Sequence, residues 1–225
     1  MKTIIPTLGL LVAATLGFAA QVIAQGTFQN LDFESATIVP IPGDPLGRVQ
    51  FAPAFPGWTG NLGAAGANYN SLNIGTSGIG LLGAGYAGGG RIAGNYTAVL
   101  QAGVPGFQPN AFLAQNGLIP PDTLSLHFLA GEDFRGGVMV SVNGQPIALS
   151  VLQTFSGYTE MGADISAYAG QTVELRFTRP AVLGGATLFL DNISFSPLGV
   201  PEPSTWTLLA LGGAVLWCAT RRRGS

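Results

Sequence analysis

Between residues 25 and 199 the chain repeatedly alternates apolar and polar positions. Leu124, Leu126 and Phe128 alternate with Thr123, Ser125 and His127. Val138, Val140 and Val142 alternate with Met139 and Ser141, and Asn143-Gly144 follows at once. Ile147, Leu149 and Val151 resume the pattern, with Pro146 at a strand start or edge. Val173, Leu175 and Phe177 alternate with Thr172, Glu174, Arg176 and Thr178, and a last apolar run covers Thr187–Phe195. A period of two buries one face of each strand. Asn-Gly between two such runs is a strong signal for a tight hairpin, because both residues tolerate positive φ. The pattern predicts an all-β domain, an antiparallel β-sandwich with one solvated face per sheet.

Gly57–Gly94 breaks the pattern, with 13 glycines in 38 residues. Glycine weakens strand interiors, so this stretch is expected to form loops and short strands at one end of the sandwich. Ile74, Ile79, Leu81, Leu82, Tyr86 and Ile92 supply its apolar anchors.

Both ends of the chain have a different character. Lys2 precedes an uncharged apolar stretch, Leu8–Ala20, and Val22-Ile23-Ala24 places small or modest side chains before Gln25. This is the layout of a signal peptide, 1–24, cut after Ala24 by signal peptidase. At the other end Pro201-Glu202-Pro203 precedes an apolar stretch, Thr205–Thr220, and then Arg221, Arg222 and Arg223. As a helix that stretch would be about 24 Å long, short for a hydrocarbon core of about 30 Å. Trp206 and Trp217 stand near its two ends, where indole rings favour the membrane interface. The arginine cluster should stay cytoplasmic and stop transfer. The expected plan is therefore a signal peptide, a β-sandwich over 25–199, and a membrane-anchored tail over 200–225.

Charge is sparse, at 9% of residues. Ten acids against five arginines leave the stretch between Asp32 and Asp191 near −5. Nucleic acids reward clustered Lys and Arg, so they are not expected partners. The single cysteine, Cys218, lies in the apolar tail, which leaves the sandwich without a disulfide or a thiolate metal site.

Pro201-Glu202-Pro203, an apolar helix and a terminal arginine cluster, in that order, resemble the PEP-CTERM sorting signal of Gram-negative bacteria. The resemblance covers about the last 25 residues. It implies recognition and processing by an exosortase, transient anchoring in the cytoplasmic membrane, and delivery to the cell surface or to an exopolysaccharide matrix. A second resemblance is carried by Asp164–Phe177, Leu190–Phe195, Asn30–Glu34 and Gly57-Trp58. It is to jelly-roll carbohydrate-binding and galactose-binding-like domains, and it implies a jelly-roll-like sandwich and, more weakly, sugar binding.

Asp191 stands out among the acids. By alternation it shares a face with Phe189, Ile193 and Phe195, and a buried carboxylate is costly unless it is paired. Jelly-rolls of the resembled kind often carry a structural Ca²⁺ that joins the first and last strands. The resemblance thus makes Ca²⁺ the candidate cofactor, with Asp32, Glu34 and Asp191 supplying hard oxygen ligands. The competing expectation is a β-bulge at Asp191-Asn192 that turns the carboxylate outward. For a polysaccharide ligand the candidate platform is Trp58 with Tyr69, Tyr86 and Tyr96, beside Asn61, Asn68 and Asn70. An exposed ring there would stack on a sugar, whereas a packed ring would only fill core.

Signals for catalysis are weak. His127 is the sole histidine and lies on the polar side of a strand beside Ser125. No Gly-x-Ser-x-Gly elbow or histidine-rich metal spacing occurs. Glu132 and Asp133 are adjacent and would face opposite ways on a strand. Gly78–Gly83 and Gly83–Gly88 match G-x-G-x-x-G but lack the strand, helix and βαβ unit that the fingerprint needs. The expectation is a non-enzymatic surface or matrix protein with a structural or adhesive role in exopolysaccharide or biofilm. Its alternatives are a carbohydrate-binding module and, more remotely, a secreted hydrolase.

Overall fold

The computed structural model describes residues 26–63, 66–72, 77–103, 109–131 and 137–200. The expected signal peptide (1–24), the sorting motif Pro201-Glu202-Pro203, the helix 205–220 and the tail Arg221, Arg222 and Arg223 all lie outside these residues. So do Glu132 and Asp133. Among the described residues no helix is long and apolar enough to cross a membrane.

Twelve strands frame the described residues: β1 (Thr59–Gly60), β2 (Asn68–Tyr69), β3 (Gly78–Leu82), β4 (Thr97–Ala102), β5 (Ala111–Leu118) and β6 (Ser125–Gly131), then β7 (Met139–Val142), β8 (Gln145–Pro146), β9 (Ser150–Thr154), β10 (Tyr158–Asp164), β11 (Thr172–Arg179) and β12 (Ala186–Ser196). Helix appears as single turns, such as α1 (Phe51–Ala54) and the 3₁₀ turn Ser166–Tyr168. The strands form two sheets, five-stranded in the order β1-β5-β11-β7-β8 and seven-stranded in the order β2-β3-β4-β12-β6-β10-β9. Pairing is antiparallel throughout, with one exception to the expectation. Strand β2 runs parallel to β3, so the larger sheet is mixed.

The alternation works as the pattern requires. On β11, Val173, Leu175 and Phe177 point into the core, opposite Val140 and Val142 of β7. Leu126 and Phe128 of β6 and Leu188, Leu190, Ile193 and Phe195 of β12 close the core from the larger sheet. Aromatic rings bridge the two layers, with Phe128 and Phe177 edge-on at 5.2 Å and Phe28 and Phe195 tilted at 5.2 Å. The Asn143-Gly144 hairpin forms with φ of 49° and 76°, joining β7 to β8. Two positions depart from the pattern. Leu124 precedes β6 and is exposed, although its N–H donates to the Ser196 carbonyl where the strand begins. Val151 is 62% exposed because β9 forms the open edge of the larger sheet.

The glycine-rich stretch is more ordered than its composition suggests. Strand β3 lies inside the larger sheet, with Ile79, Leu81 and Leu82 buried. Here glycine permits close approach, since a Cβ on Gly80 would sit 3.0 Å from the Asn68 carbonyl oxygen. The loop from Gly83 to Tyr96 then folds over the outer face of β4 and β12. It covers Thr97 and Asp191, which face away from the core yet are buried.

Candidate functional site

Three side-chain groups carry the chemistry of the surface, and the first is built on Asp191. Strand β12 changes register between Asp191 and Ser194, and Asn192 takes φ 49°. The bulge separates Asp191 from Ile193 and Phe195: they point into the core, whereas Asp191 faces outward beneath the Gly83–Tyr96 loop. The expectation that all three share a face is corrected by that extra residue. Burial survives nonetheless, because the loop seals the carboxylate, which is 1% exposed. Oδ2 accepts from Thr97 Oγ1 at 2.6 Å and from the Ala93 N–H at 3.1 Å, and Oδ1 accepts from the Asn192 N–H at 2.8 Å. Burial pushes this carboxyl up to about 6, against the pull of the three donors, and the Glu34 carboxylate adds to the rise.

Glu34 holds the neighbouring turn of the same loop. Its Oε1 accepts the N–H groups of Asn95 (2.8 Å) and Tyr96 (2.9 Å), and its Oε2 accepts from Asn95 Nδ2 (2.8 Å). Burial alone would raise its carboxyl, but those donors and Arg91 hold it below the ordinary value. Asp32 stands apart. It is exposed, and its Oδ1 accepts the Glu34 N–H at 3.2 Å. The residues expected to hold Ca²⁺ therefore do not fit a cation. The oxygens of Glu34 and Asp191 are met by N–H and O–H donors where a cation needs further oxygens. Among the described residues no three His, Cys, Asp or Glu side chains converge. The two acids clip the opening segment and the last strand to one loop, a mechanical task that the resemblance assigned to a metal.

The aromatic platform does not assemble. Trp58 is 4% exposed, and its indole N–H donates to the Asn30 carbonyl at 3.0 Å. Its ring lies between Phe33 (5.7 Å) and Phe177 (6.3 Å) in the core. Trp58 is thus a packed ring with its polar atom satisfied, and it presents no face to a sugar. Tyr69 and Tyr96 pack against the core, and Tyr86, half-buried, folds back over Gly88. A different aromatic surface occurs on the outer face of the five-stranded sheet. There the Arg176 guanidinium lies 4.1 Å above the Phe112 ring and is held by both Glu174 oxygens, at 3.0 and 3.1 Å. Asn116, Ser141 and Thr178 share that face through the pairing of β5, β11 and β7. Sequence reasoning passed over Phe112 because Ala111–Leu118 does not alternate cleanly.

The third group lies on the outer face of the larger sheet. His127 Nε2 is 2.9 Å from Ser125 Oγ, and His127 Nδ1 is 2.9 Å from Glu160 Oε1. The order serine, histidine, carboxylate is that of an acyl-transfer triad. The serine, however, is fully buried, and its hydroxyl donates to the Leu198 carbonyl at 2.5 Å. The sequence placed His127 beside Ser125 but gave no sign of Glu160, which the antiparallel pairing of β10 with β6 brings alongside.

Strand β12 ends at Ser196, so the residues beyond it leave directly from the middle of the larger sheet. The segment they lead into decides their purpose: residues 199–223 match the family model of the PEP-CTERM protein-sorting motif. The chain carries a PEP-CTERM sorting motif. This motif implies export, membrane-associated sorting in Gram-negative bacteria and processing by an exosortase. No curated protein matches the sequence significantly. Among solved structures, a cyclase from Fischerella sp. TAU is similar at 18% identity and TM-score 0.45, over 77% of this chain and 97% of that one. TmCBM61, solved in complex with β-1,4-galactotriose, is similar at 14% identity and TM-score 0.43, over 77% and 99%. The K1 cleaved adhesin domain of Lys-gingipain from Porphyromonas gingivalis W83 is similar at 13% identity and TM-score 0.39, over 64% and 93%.

Proposed function

We propose that the chain is an exported protein of the cell surface or extracellular matrix, whose β-sandwich has a non-enzymatic structural or adhesive role in exopolysaccharide or biofilm. The observation that carries this reading is the PEP-CTERM motif at 199–223, which begins three residues after the last strand ends. The triad-like group supports a non-enzymatic role, because Ser125 is fully buried and out of a substrate's reach. The test is recovery of the mature protein. Surface and matrix fractions should contain a species lacking both ends by intact mass, and deletion of the gene should weaken the matrix or cell aggregation. Intact chain confined to the cytosol would overturn the reading.

A second reading, a carbohydrate-binding module, is favoured by the outer face of the five-stranded sheet. Phe112, the planar Arg176 guanidinium, Asn116 and Thr178 combine a flat apolar surface with hydrogen-bonding groups, the combination a pyranose needs. Saturable glycan binding that is lost in Phe112→Ala and kept in Tyr86→Ala would establish it. A panel of bacterial exopolysaccharides without binding would remove it.

A further inference from the structure

The hydrogen bonds around His127 hold more protons than a neutral imidazole and a carboxylate can supply. The Leu198 carbonyl can only accept, so the Ser125 hydroxyl spends its one proton there. Ser125 Oγ must then accept from His127, which requires a proton on Nε2. An ionised Glu160 can only accept as well, which requires a second proton on Nδ1. All three contacts therefore coexist only when the His127–Glu160 pair carries one additional proton.

Removing that proton breaks one contact whichever way the remaining hydrogens are arranged. If Nδ1 keeps its hydrogen, Nε2 presents a lone pair to Ser125. The serine then turns its hydroxyl to the ring and drops Leu198, or sets lone pair against lone pair. If Nε2 keeps its hydrogen, a bare Nδ1 faces the Glu160 carboxylate. The first arrangement is favoured because it retains the charge-assisted bond, and charge-assisted bonds are the stronger ones. The contact that is lost is then the one to Leu198.

Leu198 is the tie-down of the stem. Its N–H donates to Ser196 Oγ (3.1 Å), and the Ser196 carbonyl accepts from the Leu124 N–H (2.8 Å). Only Gly199 and Val200 separate it from Pro201. Of the strands beside β6, β10 offers the charged groups Glu160 and Asp164. Asp164 lies opposite Ser125 and is held ionised by the Ser166 N–H. On the other side β12 offers the uncharged Ser194 and Ser196.

We infer that Ser125, His127 and Glu160 form a proton-operated latch. It holds the stem of the sorting motif against the sandwich and releases it to the processing enzyme when the imidazole loses its proton. Because His127 is the only histidine, the full-length chain in detergent micelles gives one set of imidazole ¹⁵N signals. The series is run from about pH 5 to about pH 9: both ring nitrogens should carry protons where the stem is protected, and only Nδ1 where it is released. Hydrogen exchange across 194–200, corrected for the intrinsic rate, should lose about tenfold protection over that range, the worth of one hydrogen bond.

Glu160→Gln separates a latch from a merely structural contact. A glutamine amide donates to Nδ1, so all three bonds form around a neutral ring, and protection should stay high across the series. Ser125→Ala should leave the stem weakly protected throughout. The inference is overturned if the wild-type ring is singly protonated while the stem is protected, or if protection of 194–200 does not change with pH. Protection lost in Glu160→Gln would overturn it equally. If a variant fails to fold, the wild-type ring spectrum and exchange decide alone.

Discussion

Asp191→Asn isolates the cost of the buried carboxylate. In the folded sandwich Asp191 titrates near 6, against 3.8 for an ordinary aspartate. A folded-state value above the unfolded one means that the folded state binds the proton more tightly. The stability this group contributes is therefore full below about pH 4 and is lost as pH rises through about 6. A difference of about two units, at about 1.4 kcal/mol each, sets the loss at about 3 kcal/mol. The asparagine amide cannot ionise and so carries none of this dependence. It keeps an oxygen for Thr97 and Ala93 but turns an amide toward the Asn192 N–H, a fixed cost of about 1 kcal/mol at every pH. Urea unfolding of residues 26–200, which contain the core cluster in full, can be followed at about pH 4, 5, 6 and 7 by the fluorescence of Trp58. The wild-type minus Asp191→Asn difference cancels the titrating groups that do not interact with Asp191; Glu34 does interact, but its own shift has the opposite sign and cannot produce the expected trend. That difference should favour the wild type near pH 4 and reverse toward the variant by pH 7. A flat difference, or one that moves toward the wild type as pH rises, would refute the assignment of burial as the dominant effect.

Other outcomes rest on the same geometry. Glu34→Ala removes the acceptor for three hydrogen bonds to Asn95 and Tyr96 and should speed tryptic cleavage after the exposed Arg91 by about tenfold, read by mass spectrometry. Trp58→Ala should cost about 3–5 kcal/mol in urea unfolding, as expected for a large core ring. EDTA should leave the thermal midpoint unchanged, since donors rather than oxygens surround Glu34 and Asp191; a drop restored by Ca²⁺ would contradict that donor set. Gly144→Ala meets no neighbouring atom yet must hold φ at 76°, so about 1 kcal/mol should be lost from backbone strain alone.

The parts of this molecule that were legible beforehand depend on local repetition. Val173, Leu175 and Phe177 declare their face because side chains on a strand alternate, and Asn143-Gly144 declares its turn because both residues tolerate positive φ. Asp191 misled for the same reason. Strict alternation carries it to the face of Ile193; the competing expectation, a bulge at Asp191-Asn192, is the one that forms, and alternation alone does not choose between them. The partner of His127 was out of reach because it lies 33 positions away. No local pattern fixes the register between β6 and β10 across the intervening strands. Trp58 illustrates a third difficulty. Its neighbours in sequence are glycine and threonine, while its neighbours in space are Phe33 and Phe177, so its burial belongs to the tertiary fold.

The strand that leads into the sorting motif is interior to its sheet, bonded to β4 on one side and to β6 on the other. Tension applied through the tail would run along the axis of β12, across ladders on both flanks. Bonds loaded in that direction share the pull and must rupture together, whereas an edge strand drawn sideways peels one bond at a time. Force entering through the C-terminal end would therefore be borne by an interior strand braced on both flanks.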